Sequence, residues 1–212
     1  MHKFKIFGRE FGDVQENREK ICEELGIPTD NLYYANQIHS DNILAVRERP
    51  EKNYLDGYDA FISNVPGLFF MVKVADCQGV LMYDDTAGVV TAVHSGWRGS
   101  VKNIVGKTVQ KMISEFGCNP QNIHVVISPS LGPCCAEFTD PHAELPECFG
   151  KYIDGKKCDF WRCTEDQLTA EGVLPENVNN MRICTVCNTD KYFSYRKEGG
   201  ENARNGAIIG LV

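Results

Sequence analysis

Residues 68–96 read LFFMVKVADCQGVLMYDDTAGVVTAVHSG. Within them, LFFMVKVADC, GVLMYDD and GVVTAVHSG are three dense apolar runs, the last two joined by a DDTAG turn. Runs this continuous are expected of strands buried on both faces, not of strands with one wet face. Immediately after them, at SGWRG, the period changes. Val101, Ile104, Val105, Val109, Met112, Ile113 and Phe116 recur at helical spacing, and Gly117 ends the run. Working outward, DVQENREKICEEL predicts a first helix, with Asp13 as cap and Glu16 completing a capping box. Val14, Ile21 and Leu25 share one face of it, and Gly26 and Pro28 close it. LYYANQIHSDNILAV carries β-favouring residues on both sides of Gln37-Ile38-His39, and RERPEKNYLDGYD is a polar surface loop. NIHVVISPSLGPCC is a strand running into a Gly-Pro turn, and TEDQLTAEG is a helix. MRICTV and KYFSYR read as strands, and the tail GGENARNGAIIGLV as a glycine-rich loop ending in a short strand. Strands and helices mix without regular alternation, so the fold class is α+β.

The 212 residues carry no repeat and no composition shift, so one domain over residues 1–212 is expected. Hydrophobic residues at 42% supply a core, and the net charge of −7 argues against a nucleic-acid-binding face. A locally basic pocket for a small anion remains compatible with that charge. The N-terminal run has no apolar signal segment, and no stretch approaches the roughly 20 residues of a spanning helix. The expected compartment is the cytoplasm, without membrane association. The ten cysteines are accordingly expected as thiols or metal ligands, most of them small buried hydrophobes.

Of the five histidines, His2 and His142 read as bystanders and His124 as packed within a strand. His39, Cys77 and His94 differ, because each closes a strand-like run. If those strands are neighbours, two imidazoles and a thiolate converge, which is three ligands with a fourth position open, the pattern of a catalytic zinc site. A core cysteine and two satisfied histidines is the plainer alternative. Cys158, Cys163, Cys184 and Cys187 form a rival set, two pairs that could hold a structural zinc. Adjacent Cys134 and Cys135 do not easily reach one ion and read as packing or turn residues. The HSGWRGS loop combines two glycines, Arg98 and a following helix, so it reads either as an anion site for phosphate or a carboxylate, built from amides and guanidinium, or as a plain strand–helix turn.

At QIHS, VADC, HSGWRG, SPSLGPCC and CT…YFSYR the chain resembles the YfiH-type laccase-domain proteins, once called polyphenol oxidases and now described as purine nucleoside phosphorylases. The motifs cover about nine-tenths of the chain, and their order is more specific than any one of them. The resemblance implies a single compact domain with central mixed sheets layered against helices, of the CNF1/YfiH-like class. It implies one zinc on His39, Cys77 and His94. It implies phosphorolysis of adenosine, inosine and methylthioadenosine to free base and ribose 1-phosphate, with adenosine deamination as a further activity. Asp76, Cys77 and Arg98 are the catalytic candidates, and Arg98, Arg196 and Gln37 the substrate- and phosphate-binding ones. Three departures stand out. A T-R-x-G-G-x-S motif ahead of the first helix has only a partial counterpart in Arg9, Gln78-Gly79 stands where a proline is usual, and Ser95 stands where an alanine is usual. The alternatives are a copper-dependent polyphenol oxidase, for which five histidines are too few in a multicopper mechanism, and a non-enzymatic module stapled by zinc on the rival cysteines. Between phosphorolysis and deamination, and among the three nucleosides, the motifs leave the choice open.

Overall fold

The three apolar runs fold as strands whose alternate side chains enter different hydrophobic layers. The structure is a computed structural model that describes residues 1–200 and 203–212. Its strands are β1 (His2–Phe7), β2 (Leu32–Tyr34), β3 (Ile43–Val46), β4 (Ala60–Ser63), β5 (Phe69–Val74), β6 (Gln78–Asp84) and β7 (Val89–Ser95). They continue as β8 (His124–Ile127), β9 (Ile153–Asp154), β10 (Lys157–Cys158), β11 (Val178–Asn180) and β12 (Asn205–Leu211). The helices are α1 (Arg18–Leu25), α2 (Trp97–Val101), α3 (Ile104–Phe116), α4 (Pro141–Glu144) and α5 (Phe160–Ala170). One sheet has the order β1-β12-β5-β2 and a larger one β11-β8-β6-β7-β4-β3, while β9 and β10 pair alone. Both large sheets are mixed: β2 runs parallel to β5, β3 to β4 and β11 to β8, and the remaining pairs are antiparallel.

The layers are helix, sheet, sheet, helix. Phe69 and Met71 of β5 pack with Ile21, Cys22 and Leu25 of α1. Phe70 and Val72, one residue out of phase, pack between the sheets with Phe61, Leu81 and Ala92. Val80, Met82 and Val93 face Val105, Val109 and Met112 of α3. Each such buried side chain contributes about 1.5–3 kcal/mol, so the register of β5, β6 and β7 is strongly specified. A slip by one residue would send every side chain to the wrong layer. The fold is thus α+β with mixed sheets layered against helices, as read from the sequence.

Several local expectations are corrected. The first helix starts at Arg18, and its N-cap Asn17 makes no side-chain capping bond. Asp13 instead accepts the Gln15 and Arg204 amides, so the capping box with Glu16 does not form. The helix expected from Val101 is two helices, because Asn103 takes a left-handed φ of 57° and caps α3 through the Gly106 amide. His124 is exposed and stacks on Tyr83, with centroids 5.3 Å apart, where a packed side chain was expected. Residues 181–186 make only a bridge, Ser130 to Cys184. Residues 191–196 form turns, because their amides bond side chains: Phe193 to Asn205, Ser194 to Glu198 and Arg196 to Asp76. Strands β1 and β4 were not anticipated. Glu201 and Asn202 of the expected glycine-rich loop lie outside the described residues. Among the described residues, no helix is long and apolar enough to cross a membrane.

Candidate active site

Strands β6 and β7 pair with Gly79 opposite His94, which puts Cys77, just before β6, beside His94, near the end of β7. His39 reaches the same point from the turn between β2 and β3. The three candidate ligand atoms lie within 4.8 Å of one another. Cys77 Sγ is 3.9 Å from His39 Nε2, and the two imidazoles meet edge to face at 4.8 Å. His39 and Asp76, the residue before Cys77, hold left-handed φ values of 56° and 79°, conformations that cost non-glycine residues free energy and persist where the surroundings enforce them. Gly96 completes the cradle. A Cβ there would stand 2.8 Å from Cys77 Sγ and 3.1 Å from His39 Cδ2. Two imidazoles, one thiolate and a hollow kept open by glycine fit a single metal ion.

Asp59, which sequence reading passed over, organises this trio. It is fully buried in front of β4. Its carboxylate accepts the amides of Ile38, His39 and Ser40, the Ser40 hydroxyl at 2.6 Å, and His94 Nδ1–H at 2.8 Å. With Nδ1 committed, Nε2 is the nitrogen His94 can offer a metal. Burial opposes the charge on Asp59, but the hydrogen bonds from His94 and Ser40 outweigh it and hold the carboxyl at about 2. Burial likewise works against charge on Cys77 and His94. Their mutual attraction, with His39 and Asp59 alongside, reverses both effects, leaving Cys77 at about 6 and His94 at about 9. Each charge thus favours the other, thiolate on Cys77 and imidazolium on His94.

The trio opens into a cleft of about 750 Å³, a size suited to a small organic ligand. Gln37, Asp76, Arg98 and Arg196 line it, together with Lys73 and Arg204, which sequence reading did not single out. Four cations therefore face one cleft of a chain whose net charge is −7. Burial lowers the Lys73 ammonium, and nearby Arg204 and Arg18 lower it further, so an anion there would be welcomed. Arg98 lies on α2 with its guanidinium over the Trp97 ring at 4.2 Å. The expected supply of amides from a helix starting at Val101 is corrected: α3 starts three residues later and Asn103 already caps it. Trp97, Phe138, Phe160 and Tyr195 supply the aromatic side of the cleft.

Other candidates are hydrogen-bonded within the walls of the cleft. Gln37 mimics a strand, donating from Nε2 to the Lys73 carbonyl and accepting its amide, both at 2.9 Å. Asp76 accepts the Thr185 and Ser194 hydroxyls and the Arg196 amide, each at 2.7 Å. Arg196 Nη1 donates to the carbonyls of Cys135 and Glu137. Gln78, at the usual proline position, ties β6 to α5 through the Phe160 carbonyl and the Thr164 hydroxyl. Arg9 pairs with Glu198 and lies 4.2 Å from the Phe193 ring centroid.

The rival cysteine set is not assembled as expected. Cys158 and Cys163 are buried in an apolar cluster with Phe149 and Phe160, and burial pushes both thiols up to about 12. Cys184 and Cys187 meet Cys134 and Cys135 instead.

A family model described as "Multi-copper polyphenol oxidoreductase laccase" matches residues 8–212. Human "Purine nucleoside phosphorylase LACC1" is 30% identical over 210 residues, covering 94% of this chain and 47% of that protein. The chain thus spans about half the length of this human relative. A "Purine nucleoside phosphorylase" of Clostridium acetobutylicum is 38% identical over 183 residues, covering 83% of this chain and 75% of its own. Among solved structures, YlmD from Geobacillus stearothermophilus superposes with a TM-score of 0.85 at 25% identity, covering 100% of this chain and 88% of that one.

Proposed function

The chain belongs to the laccase-like family described as multi-copper polyphenol oxidoreductase laccase, and from that membership we propose that it is a zinc-dependent purine nucleoside phosphorylase. The observation that carries this reading is one cleft that joins the His39–Cys77–His94 trio to the cationic Lys73, Arg98, Arg196 and Arg204. The relatives named as purine nucleoside phosphorylases support the same reaction class. His39, Cys77 and His94 would hold the ion. Zinc in such a site supplies Lewis-acid polarisation and lowers the pKa of a bound water. Zinc is preferred to a copper oxidase centre because, among the described residues, only His39 and His94 of the five histidines share a cluster with a cysteine.

The chain's own residues supply binding and orientation. Arg98, Arg204 and Lys73 hold the phosphate, whose charge-assisted contacts are worth most in a partly buried cleft. Trp97 and Phe138, edge to face at 6.2 Å, offer an apolar wall to the purine. In phosphorolysis a phosphate oxygen bonds to ribose C1′ as the C1′–N9 bond breaks. The electron pair leaves on the base, which takes up a proton, and ribose 1-phosphate remains. Positive side chains restrain the phosphate near an oxocarbenium-like centre and so lower the entropic part of the barrier. Asp76 acts on this step through the loops it ties, keeping Arg196 and Tyr195 at the mouth.

Base release from adenosine, inosine and methylthioadenosine, measured with and without phosphate by chromatography, tests the proposal. Release of free base that requires phosphate supports it. Conversion of adenosine to inosine with phosphate irrelevant assigns the cleft to deamination instead.

A further inference from the structure

We propose that Cys134, Cys135, Cys184 and Cys187 form a second metal site, holding one zinc ion through four thiolates, separate from the His39–Cys77–His94 trio. The four sulfur atoms lie within 4.8 Å of one another. Cys187 Sγ is 3.8 Å from Cys134 Sγ and 3.6 Å from Cys135 Sγ. A tetrahedral ion with Zn–S bonds of about 2.3 Å spaces its sulfurs by about 3.8 Å along each edge. Two of its edges therefore already stand at the separation the ion requires, and the others lie within 4.8 Å. All ten cysteines are free thiols.

Adjacent cysteines can serve one ion here because of the local backbone. Residues 132–136 are wound into a turn, with the Cys135 and Ala136 amides both donating to the Gly132 carbonyl. On such a turn neighbouring side chains diverge by about 100°, not the 180° of a strand. Cys184-Thr185-Val186-Cys187 is a C-x-x-C turn, the spacing common in structural zinc sites. Asn188 closes that turn, its amide on the Thr185 carbonyl and its Nδ2 on the Cys184 carbonyl. The Gly132 amide, from the other loop, points at Cys184 Sγ at 3.3 Å, a donor suited to a thiolate. Cys134 and Cys187 are exposed, so solvent ions can reach the cluster.

The ion would staple two loops that build the cleft. The Leu131 amide bonds the Asp76 carbonyl, and the Cys135 carbonyl holds Arg196. Thr185, inside the C-x-x-C turn, bonds the Asp76 carboxylate. A structural ion here thus fixes the wall beside Cys77 without contributing to the trio. This is a zinc staple, built on Cys134 and Cys135 where the sequence pointed to Cys158 and Cys163.

The test is metal stoichiometry on the full chain, stripped with chelator under reducing conditions, reloaded with zinc and freed of excess. The expected count is two per chain, falling to one in Cys187→Ser and to one in His39→Ala. Cobalt(II) as a probe should give intense thiolate charge-transfer bands that survive His39→Ala and fall in Cys187→Ser to the weaker band of the single Cys77 thiolate. Should Cys187→Ser not fold, Cys134→Ser, also at an exposed position, is read the same way. A count unchanged by Cys187→Ser, whatever the wild-type total, or a disulfide at Cys187 in the zinc-loaded protein would overturn the site. Because the count is read without substrate, its failure is distinguishable from failure of the phosphorylase proposal.

Discussion

Replacing Gly96 by alanine should weaken metal binding at the trio while leaving the fold intact. The backbone at Gly96, φ −80° and ψ 174°, is extended and open to any residue, so alanine adds no conformational strain. What it adds is a Cβ placed 2.8 Å from Cys77 Sγ and 3.1 Å from His39 Cδ2. Ordinary contact begins at 3.4 Å, so the sulfur must retreat by 0.6 Å, the difference from 2.8 Å. Coordination distances tolerate only about 0.2 Å. Asp76 before Cys77 and Gln78 after it are both tied by hydrogen bonds, so the sulfur retreats by rotating about its own Cα–Cβ bond, which changes its position relative to the two imidazoles. A displacement of this kind should cost 10–100-fold in metal affinity, about 1.4–2.8 kcal/mol. The assay is competition of Gly96→Ala and wild type against a fluorescent zinc chelator, with thermal unfolding of the metal-free proteins alongside. Gly150→Ala, where a Cβ meets nothing within 4 Å, is the control and should bind as wild type does. An unchanged affinity in Gly96→Ala would refute the cradle, and with it the claim that these three side chains share one ion.

Asp59→Asn should lower metal affinity by about 10–100-fold and destabilise the metal-free chain by about 2–4 kcal/mol, because a buried carboxylate that accepts several donors loses its charge; chelator competition and urea unfolding read the two effects. Arg98→Ala and Arg204→Ala should each raise the KM for phosphate about tenfold, the worth of one charge-assisted contact, with metal content unchanged by elemental analysis. Asp76→Ala should speed hydrogen exchange of residues 185–196 and raise the KM for nucleoside, as the Thr185, Ser194 and Arg196 bonds are lost; unchanged exchange there would remove its role in holding the wall.

The core was readable because its strands are extreme. Strands β5, β6 and β7 are buried on both faces, so their sequences are continuously apolar, and α3 carries one clean helical stripe against them. Strand β1 escaped because Lys3 and Lys5 interrupt its pattern on an edge of the sheet. KYFSYR misled because β-favouring residues say nothing of where amides will bond, and here Asp76, Glu198 and Asn205 side chains took them. At the site, soft ligands at strand ends identified His39, Cys77 and His94. Asp59 could not be found that way, since an aspartate in DGYDAF reads as a turn residue. Its role depends on long-range pairing of β4 with β7, which brings it to His94. Lys73 was passed over inside an apolar run, and a lysine in such a run is itself a signal of a pocket. The cysteine partners were misassigned because spacing along the chain fixes C-x-x-C halves but not which halves meet.

The most direct test is a balance of products from zinc-loaded protein given adenosine and phosphate, in wild type and in Cys77→Ala. The expected result is free adenine and ribose 1-phosphate in equal amounts, strictly dependent on phosphate, and loss of both in Cys77→Ala with the fold retained. Free ribose in place of ribose 1-phosphate, or undiminished turnover by Cys77→Ala, would contradict the assignment of this cleft to metal-dependent phosphorolysis.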